Sequence, residues 1–221
     1  MGTSITAGFH GPGSNLSPYI VGERLNLVPI NAGFDGSSAT PCGCKYLDDF
    51  SLERLVVAIH SHDWSAQDSS IQFLDPINKL SLSNLKGLSF ENITYIGLEY
   101  SVNDFTICVP LKSFGESLRK AVLMLLSDFP KLHIFTIGPA WSPEGDSPNK
   151  LGYRLSAYAN ILSQVSSEIG IPYLDMMRRM PLTAENDLVF TFDGKHPNET
   201  GARVRGEITA SFMKEAFQPL N

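Results

Sequence analysis

Three short apolar runs, Ile93 to Tyr100, Leu132 to Ile137 and Ile171 to Leu174, alternate with stretches of helical periodicity. No other feature narrows the choice of fold as much. Ile93 to Tyr100 is rich in β-branched and aromatic residues, the composition of a strand. Phe114 to Phe129 carries the spacing of an amphipathic helix, as does Gly152 to Ile169, and Asn198 to Phe217 forms a last helix. Strands separated by helices line up as a parallel sheet with helices on both faces. No internal repeat, low-complexity tract or linker interrupts the pattern, so residues 1–221 are expected to form one domain. A chain of 221 residues can bury a full core without disulfide or metal staples.

The earlier part of the chain carries shorter signals. Ser17-Pro18 reads as an N-cap followed by a first-turn proline, opening a helix that reaches about Asn26. Leu27-Val28-Pro29-Ile30 reads as a short strand, and Ser51 to Ile59 as a helix capped by its serine. Residues 9–16 and 138–148 are punctuated by Gly and Pro and read as loops, the second holding Trp141. Residues 63–87 are polar and irregular, with scattered Leu and Ile at near-helical intervals.

Ligands of such a sheet sit beyond the carboxyl ends of its strands, and that is where the chemically able residues fall. Gly33 follows one expected strand, Asn103 the next, and Asp193 and His196 lie in the loop before the last helix. Ser4 sits between small residues at what would be a strand-to-helix turn, although only Met1-Gly2 stand where that strand should be. A serine hydroxyl becomes a useful nucleophile when a neighbouring base takes its proton. Histidine suits that task near neutral pH, and a carboxylate on its other ring nitrogen fixes the tautomer. Asp193 and His196 are three apart, so a single turn puts both on one side. The backbone amides of Ser4 and Gly33 and the side-chain amide of Asn103 are the available donors for a developing oxyanion. Each residue also has an ordinary alternative. Asp193 could cap the final helix, Gly33 could be a plain turn glycine and Asn103 a strand-end cap.

Taken together, Gly2-Thr3-Ser4-Ile5-Thr6-Ala7-Gly8, Asn31-Ala32-Gly33-Phe34-Asp35-Gly36, Ser101-Val102-Asn103-Asp104 and Asp193-Gly194-Lys195-His196-Pro197 resemble the first, second, third and fifth blocks of the SGNH (GDSL-type) hydrolases. That family holds esterases, lipases and carbohydrate acyl-esterases. The resemblance implies a flavodoxin-like three-layer α/β/α sandwich around a central parallel sheet. It also implies Ser4 as nucleophile, His196 as base, Asp193 as its orienter, and an oxyanion hole of Ser4, Gly33 and Asn103. The stretch from Ser51 to Trp64 and the sequence around Asn103 are similar to a branch found in bacterial and phage surface-associated proteins.

Three positions depart from the family pattern. Thr3 stands where the family usually has Asp, a structural hydrogen-bonder, so activity should survive. Ser101 replaces a glycine and adds a hydroxyl near the oxyanion hole. The central first strand has only Met1-Gly2 to represent it. The expectation is therefore either a natural protein that extends upstream, or a gap in the sheet with Ser4 on a frayed terminus.

The leading reading is a serine esterase acting on short acyl esters, with O-acetyl carbohydrate as the preferred class because no long apolar lid segment is evident. A catalytically degenerate domain that binds glycan, stacking it on Trp141, Tyr153 and Phe9, is the main rival. His60-Ser61-His62-Asp63 raises a metal-dependent hydrolase, but alternate residues at a helix end point to different faces and no distant cluster completes a shell. No metal and no cofactor is therefore expected. Cys42, Cys44 and Cys108 are an odd count and read as ordinary thiols. A net charge of −6 gives no reason to expect nucleic acid, and no apolar run approaches the roughly 20 residues that cross a bilayer. No basic-then-apolar leader is visible, so a cytoplasmic setting is the default expectation, with a surface or phage-associated context as the other.

Overall fold

The computed structural model describes residues 1–8 and 16–217. Three strands, β1 (Tyr95–Glu99), β2 (His133–Ile137) and β3 (Tyr173–Leu174), form a parallel sheet in the order β1-β2-β3. Tyr95 faces His133 across the first pair, and Thr136 faces Tyr173 across the second. The helices in chain order are α1 (Ser4–Ala7), α2 (Ser17–Leu25), α3 (Leu52–Ser61), α4 (Ser65–Ser70), α5 (Pro76–Lys86) and α6 (Val102–Thr106). They continue with α7 (Leu111–Asp128), α8 (Pro143–Asp146), α9 (Leu155–Ile169), α10 (Met176–Arg179), α11 (Asp187–Phe190) and α12 (Glu199–Ala216).

Successive side chains of a strand go to opposite faces, and β2 shows how this builds layers. Ile134 joins one apolar core with Leu55 of α3, Leu118 of α7 and Leu162 of α9. Its neighbour Phe135 joins another with Met176 of α10 and Phe212 and Met213 of α12. The sheet is the middle of three layers, α/β/α, as the family resemblance implies. The long helices form where apolar residues recur at helical spacing. In α7, Phe114, Leu118, Val122 and Leu125 are all buried. The Ser51 side chain accepts from the Arg54 amide to start α3, and Asn198 accepts from Gly201 to start α12. Gly170, at φ 82°, ends α9 in the left-handed region.

Several local expectations give way. Residues 63–87 hold α4 and α5: Leu82 and Leu85 of α5 pack against the first core, and Gln67 and Ser70 of α4 bond to Asp49, tertiary contacts that polar composition does not reveal. Ser17 is the first residue of α2, not its cap. Its hydroxyl donates to the carbonyl of Ala202, tying α2 to α12. The 138–148 loop contains the single turn α8. Leu27 to Ile30 is not a strand, because no partner among the described residues pairs with it. Between Leu27–Ile30 and Tyr95–Gly97 there is instead an apolar cavity of about 370 Å³.

Met1-Gly2 stands at the head of that cavity and does part of a strand's work. The Met1 amino group donates to the Gly97 carbonyl at 2.8 Å, and the Glu99 amide donates to the Met1 carbonyl at 3.1 Å. Gly2 forms parallel bridges to Gly33 on one side and Glu99 on the other. The gap in the sheet is present, but the frayed terminus is not. Ser4 is only 5% exposed, because two residues of parallel ladder suffice to pin the start of α1.

Candidate active site

Ser4 is the first residue of α1, at the corner where the Met1-Gly2 ladder turns into helix. The N-cap Thr3 side chain accepts from the Ile5 amide, a task that threonine performs well. Gly8, at φ 85°, closes the turn. The corner cannot be loosened by larger residues. A Cβ on Gly33 would lie 2.3 Å from the Ala7 nitrogen, and one on Gly2 would lie 2.2 Å from the Thr6 hydroxyl.

Asp193 and His196 lie on a tight turn closed by an antiparallel bridge between Thr191 and Pro197. Gly194 takes φ 82° and donates its amide to the Thr191 hydroxyl. One Asp193 oxygen accepts from the backbone amides of Lys195 and His196. The other lies 2.7 Å from Nδ1 of the His196 ring. His196 Nε2 lies 3.0 Å from the Ser4 hydroxyl oxygen, which closes a row of three side chains. Burial by itself would raise the Asp193 carboxyl, but its bonds to the His196 ring and to the two amides outweigh it and hold the group at about 2. A carboxylate at Nδ1 leaves Nε2 facing the hydroxyl as the proton acceptor, the arrangement that activates a serine.

The three expected donors stand in different states. Ser4 presents its amide at the free N-terminal turn of α1. The Gly33 amide is already bonded to the Asn31 side chain at 3.0 Å. Asn103, on α6, gives one amide hydrogen to the Ser37 carbonyl at 2.7 Å and keeps a second. Its neighbour Asp104, fully buried, accepts from the amides of Ala39 and Thr40. Desolvation raises its carboxyl to about 6. Ser101 sits at φ 132°, where glycine is at ease, with its hydroxyl buried and without a hydrogen-bond partner among the described residues.

Trp141 is half-buried against the second core, just before α8, whose Pro143 packs on Gly194 of the Asp193–His196 turn. Of the aromatic platform that a glycan would need, Tyr153 is exposed and Phe9 lies outside the described residues. His60 pairs with Asp128 of α7, while His62 ends α3 at φ 55°. Among the described residues no group of three or more His, Cys, Asp or Glu could hold a metal ion. The cysteines are free, and burial above all pushes the Cys42 thiol up to about 12. No helix among the described residues is long and apolar enough to cross a membrane.

Two contributors escape a reading by motif. Asn31 holds both the Gly33 amide and the Thr6 carbonyl, and its one sequence signal is the Asn-x-Gly spacing of a side-chain-closed turn. Glu99 binds the Thr6 hydroxyl at 2.6 Å and pairs with Arg205. An acid at the end of an apolar strand is the signal that could have found it.

Comparison with known proteins identifies the family and the fold. The model of the GDSL-like Lipase/Acylhydrolase family matches residues 1–204. Among solved structures, a lipase/acylhydrolase from Enterococcus faecalis is similar at 17% identity and TM-score 0.62, covering 99% of this chain and 95% of that one. A member of the lipolytic protein G-D-S-L family from Veillonella parvula DSM 2008 is 18% identical at TM-score 0.62, covering 99% and 96%. A two-domain esterase active on acetylated mannans is 16% identical at TM-score 0.62, covering 97% of this chain and 47% of that one. No curated protein matches.

Proposed function

The chain belongs to the GDSL-like lipase/acylhydrolase family, and from that premise we propose that it is a serine esterase working through Ser4, His196 and Asp193. The observation that carries the reading is the unbroken row from the Ser4 hydroxyl through the His196 ring to the Asp193 carboxylate. In the first step the Ser4 oxygen attacks the ester carbonyl while Nε2 of His196 takes its proton. The imidazolium then gives that proton to the departing alcohol, leaving an acyl-Ser4. Water, deprotonated by the same nitrogen, releases the acid and restores the serine. Asp193 stays ionised throughout and steadies the imidazolium.

The carbonyl oxygen of the intermediate would be met by the Ser4 amide, the Gly33 amide and the second hydrogen of Asn103. Gly33 must leave Asn31 to take part, a tightening that accompanies substrate binding. The proposed substrates are short acyl esters, with O-acetylated carbohydrate as the class and Trp141 as a wall of the pocket. The apolar cavity of about 370 Å³ is lined by Thr6 and Glu99 but not by Ser4, His196 or Trp141, so it provides no channel for a long acyl chain at the nucleophile. The similar esterase active on acetylated mannans supports the same class.

The test is hydrolysis of p-nitrophenyl esters of graded chain length and of acetylated sugars, comparing wild type with His196→Ala. Turnover that is greatest for acetyl and lost in the variant is expected. Preference for long chains would overturn the substrate class. Turnover unchanged in the variant would overturn the mechanism, and glycan binding without turnover would favour a degenerate, binding-only domain.

A further inference from the structure

The Ser4–His196 contact joins two ends of the chain, and something must fix their separation. α1 is a single turn and the catalytic turn is a surface loop, so neither is stiff alone. A buried cluster beneath them connects both. Thr6, on α1 two residues after Ser4, donates its hydroxyl to Glu99 at 2.6 Å, while its carbonyl accepts from Asn31 at 2.8 Å. Glu99 ends β1 and is bridged through its backbone to Gly2. Its second carboxylate oxygen pairs with Arg205. Arg205 lies on α12, the helix that follows His196 almost directly, and its side chain is 4% exposed against 11% for Glu99. On the far side α12 is seated closely on α2, since a Cβ on Gly206 would lie 2.6 Å from Ile20.

We propose that the Glu99–Arg205 ion pair, clasped by Thr6, is a positioning device that sets Ser4 against His196. Two charges buried together are a poor source of stability, because desolvation offsets most of their attraction. Their value is geometric. A carboxylate held through one oxygen by a guanidinium and through the other by a hydroxyl admits few relative placements of the elements that carry these groups. Here those elements are the nucleophile's helix and the helix that follows the base, with the Gly33 turn drawn in through Asn31. The proposal rests on the reading of Ser4 and His196 as nucleophile and base.

Removing one partner would strand a buried charge and could unfold the protein, so the decisive variant is the double replacement Glu99→Met with Arg205→Met. It should remain folded by circular dichroism and melt near the wild-type temperature. Turnover of p-nitrophenyl acetate should fall in kcat by about 10- to 100-fold, with KM changed little, because reacting groups displaced by a fraction of an ångström lose rate more than affinity. Arg205→Lys, which keeps the charge without the planar guanidinium, should fall between the two. In a crystal structure of the double variant, Ser4 Oγ and His196 Nε2 should stand beyond hydrogen-bonding reach, past about 3.5 Å. A folded double variant that keeps that bond overturns the proposal, whatever the wild type hydrolyses. A wild type without esterase activity overturns the functional reading alone, and an opened Ser4–His196 distance would still support the positioning role.

Discussion

The hydroxyl oxygen of Ser4 lies 3.0 Å from Nε2 of His196, although 192 positions of chain separate them. If the two act as one unit, their removals should not add. Ser4→Ala and His196→Ala are each expected to lower kcat by about 10³-fold or more, and the double variant by no more than the worse single one. Steady-state kinetics on p-nitrophenyl acetate measure this. Additive losses would mean that the two groups act in separate steps.

Two carboxyl groups at the site have opposite pH signatures. Asp193 is depressed to about 2, so its contribution to stability is present above an ordinary carboxyl value near 4 and is lost as pH falls through about 2. The acid limb of the activity profile above pH 4 therefore belongs to another group. Asp104 is raised to about 6 by burial, so its contribution is complete below pH 3.8 and is lost as pH rises through about 6. Ionising it in place costs about 3 kcal/mol. Urea titrations from pH 4 to 7 should show wild type losing that much relative to Asp104→Asn. Parallel curves would remove Asp104 as the cause.

Much of the fold could be read from periodicity, and the reasons for the exceptions are specific. α7, α9 and α12 follow from apolar residues three and four apart, and β1 from its β-branched run. α5 escapes because its buried face, Asn78, Ser81, Leu82 and Leu85, is half polar. Leu27 to Ile30 has strand composition but lacks a neighbour, and pairing is a property of two segments. At the site, the approach of Asp193 to His196 follows from a spacing of three. The Asn31 bond to Gly33 is also local, an Asn-x-Gly turn, whereas the Asn31 bond to the Thr6 carbonyl and the Glu99–Arg205 pair depend on which segments the tertiary fold brings together, which no local pattern encodes.

Ser101 offers a gain in stability. At φ 132° and ψ −39° a side chain is strained, and its buried hydroxyl finds no partner among the described residues. Ser101→Gly should stabilise the protein by about 1 to 2 kcal/mol, a rise in Tm of about 3 to 6 °C. Thermal melts followed by circular dichroism decide it. A lower Tm would show that the hydroxyl has a partner in solution and that the strain is relieved there.

The cavity beside Met1 makes the last prediction. Its walls, Leu27 to Ile30 and Tyr95 to Gly97, flank the line on which Met1 and Gly2 pair with β1, so the ladder has room to continue. Burial brings the Met1 ammonium down from 8.0 to about 6, against the pull of Glu99. A base so depressed contributes stability that is present above pH 8 and is lost as pH falls through about 6. A peptide N–H in the same place would make the same bond to Gly97 without a charge. Adding five β-branched residues ahead of Met1 should therefore fill the groove and remove the pH dependence between 6 and 8. The expected gain is about 2 kcal/mol or more, seen as a rise in Tm of about 4 to 8 °C. A Gly-Ser extension of equal length would abolish the charge but fill nothing, so it should flatten the pH response without the full rise in Tm. Equal melting temperatures for the two extensions would show that the groove does not take a strand.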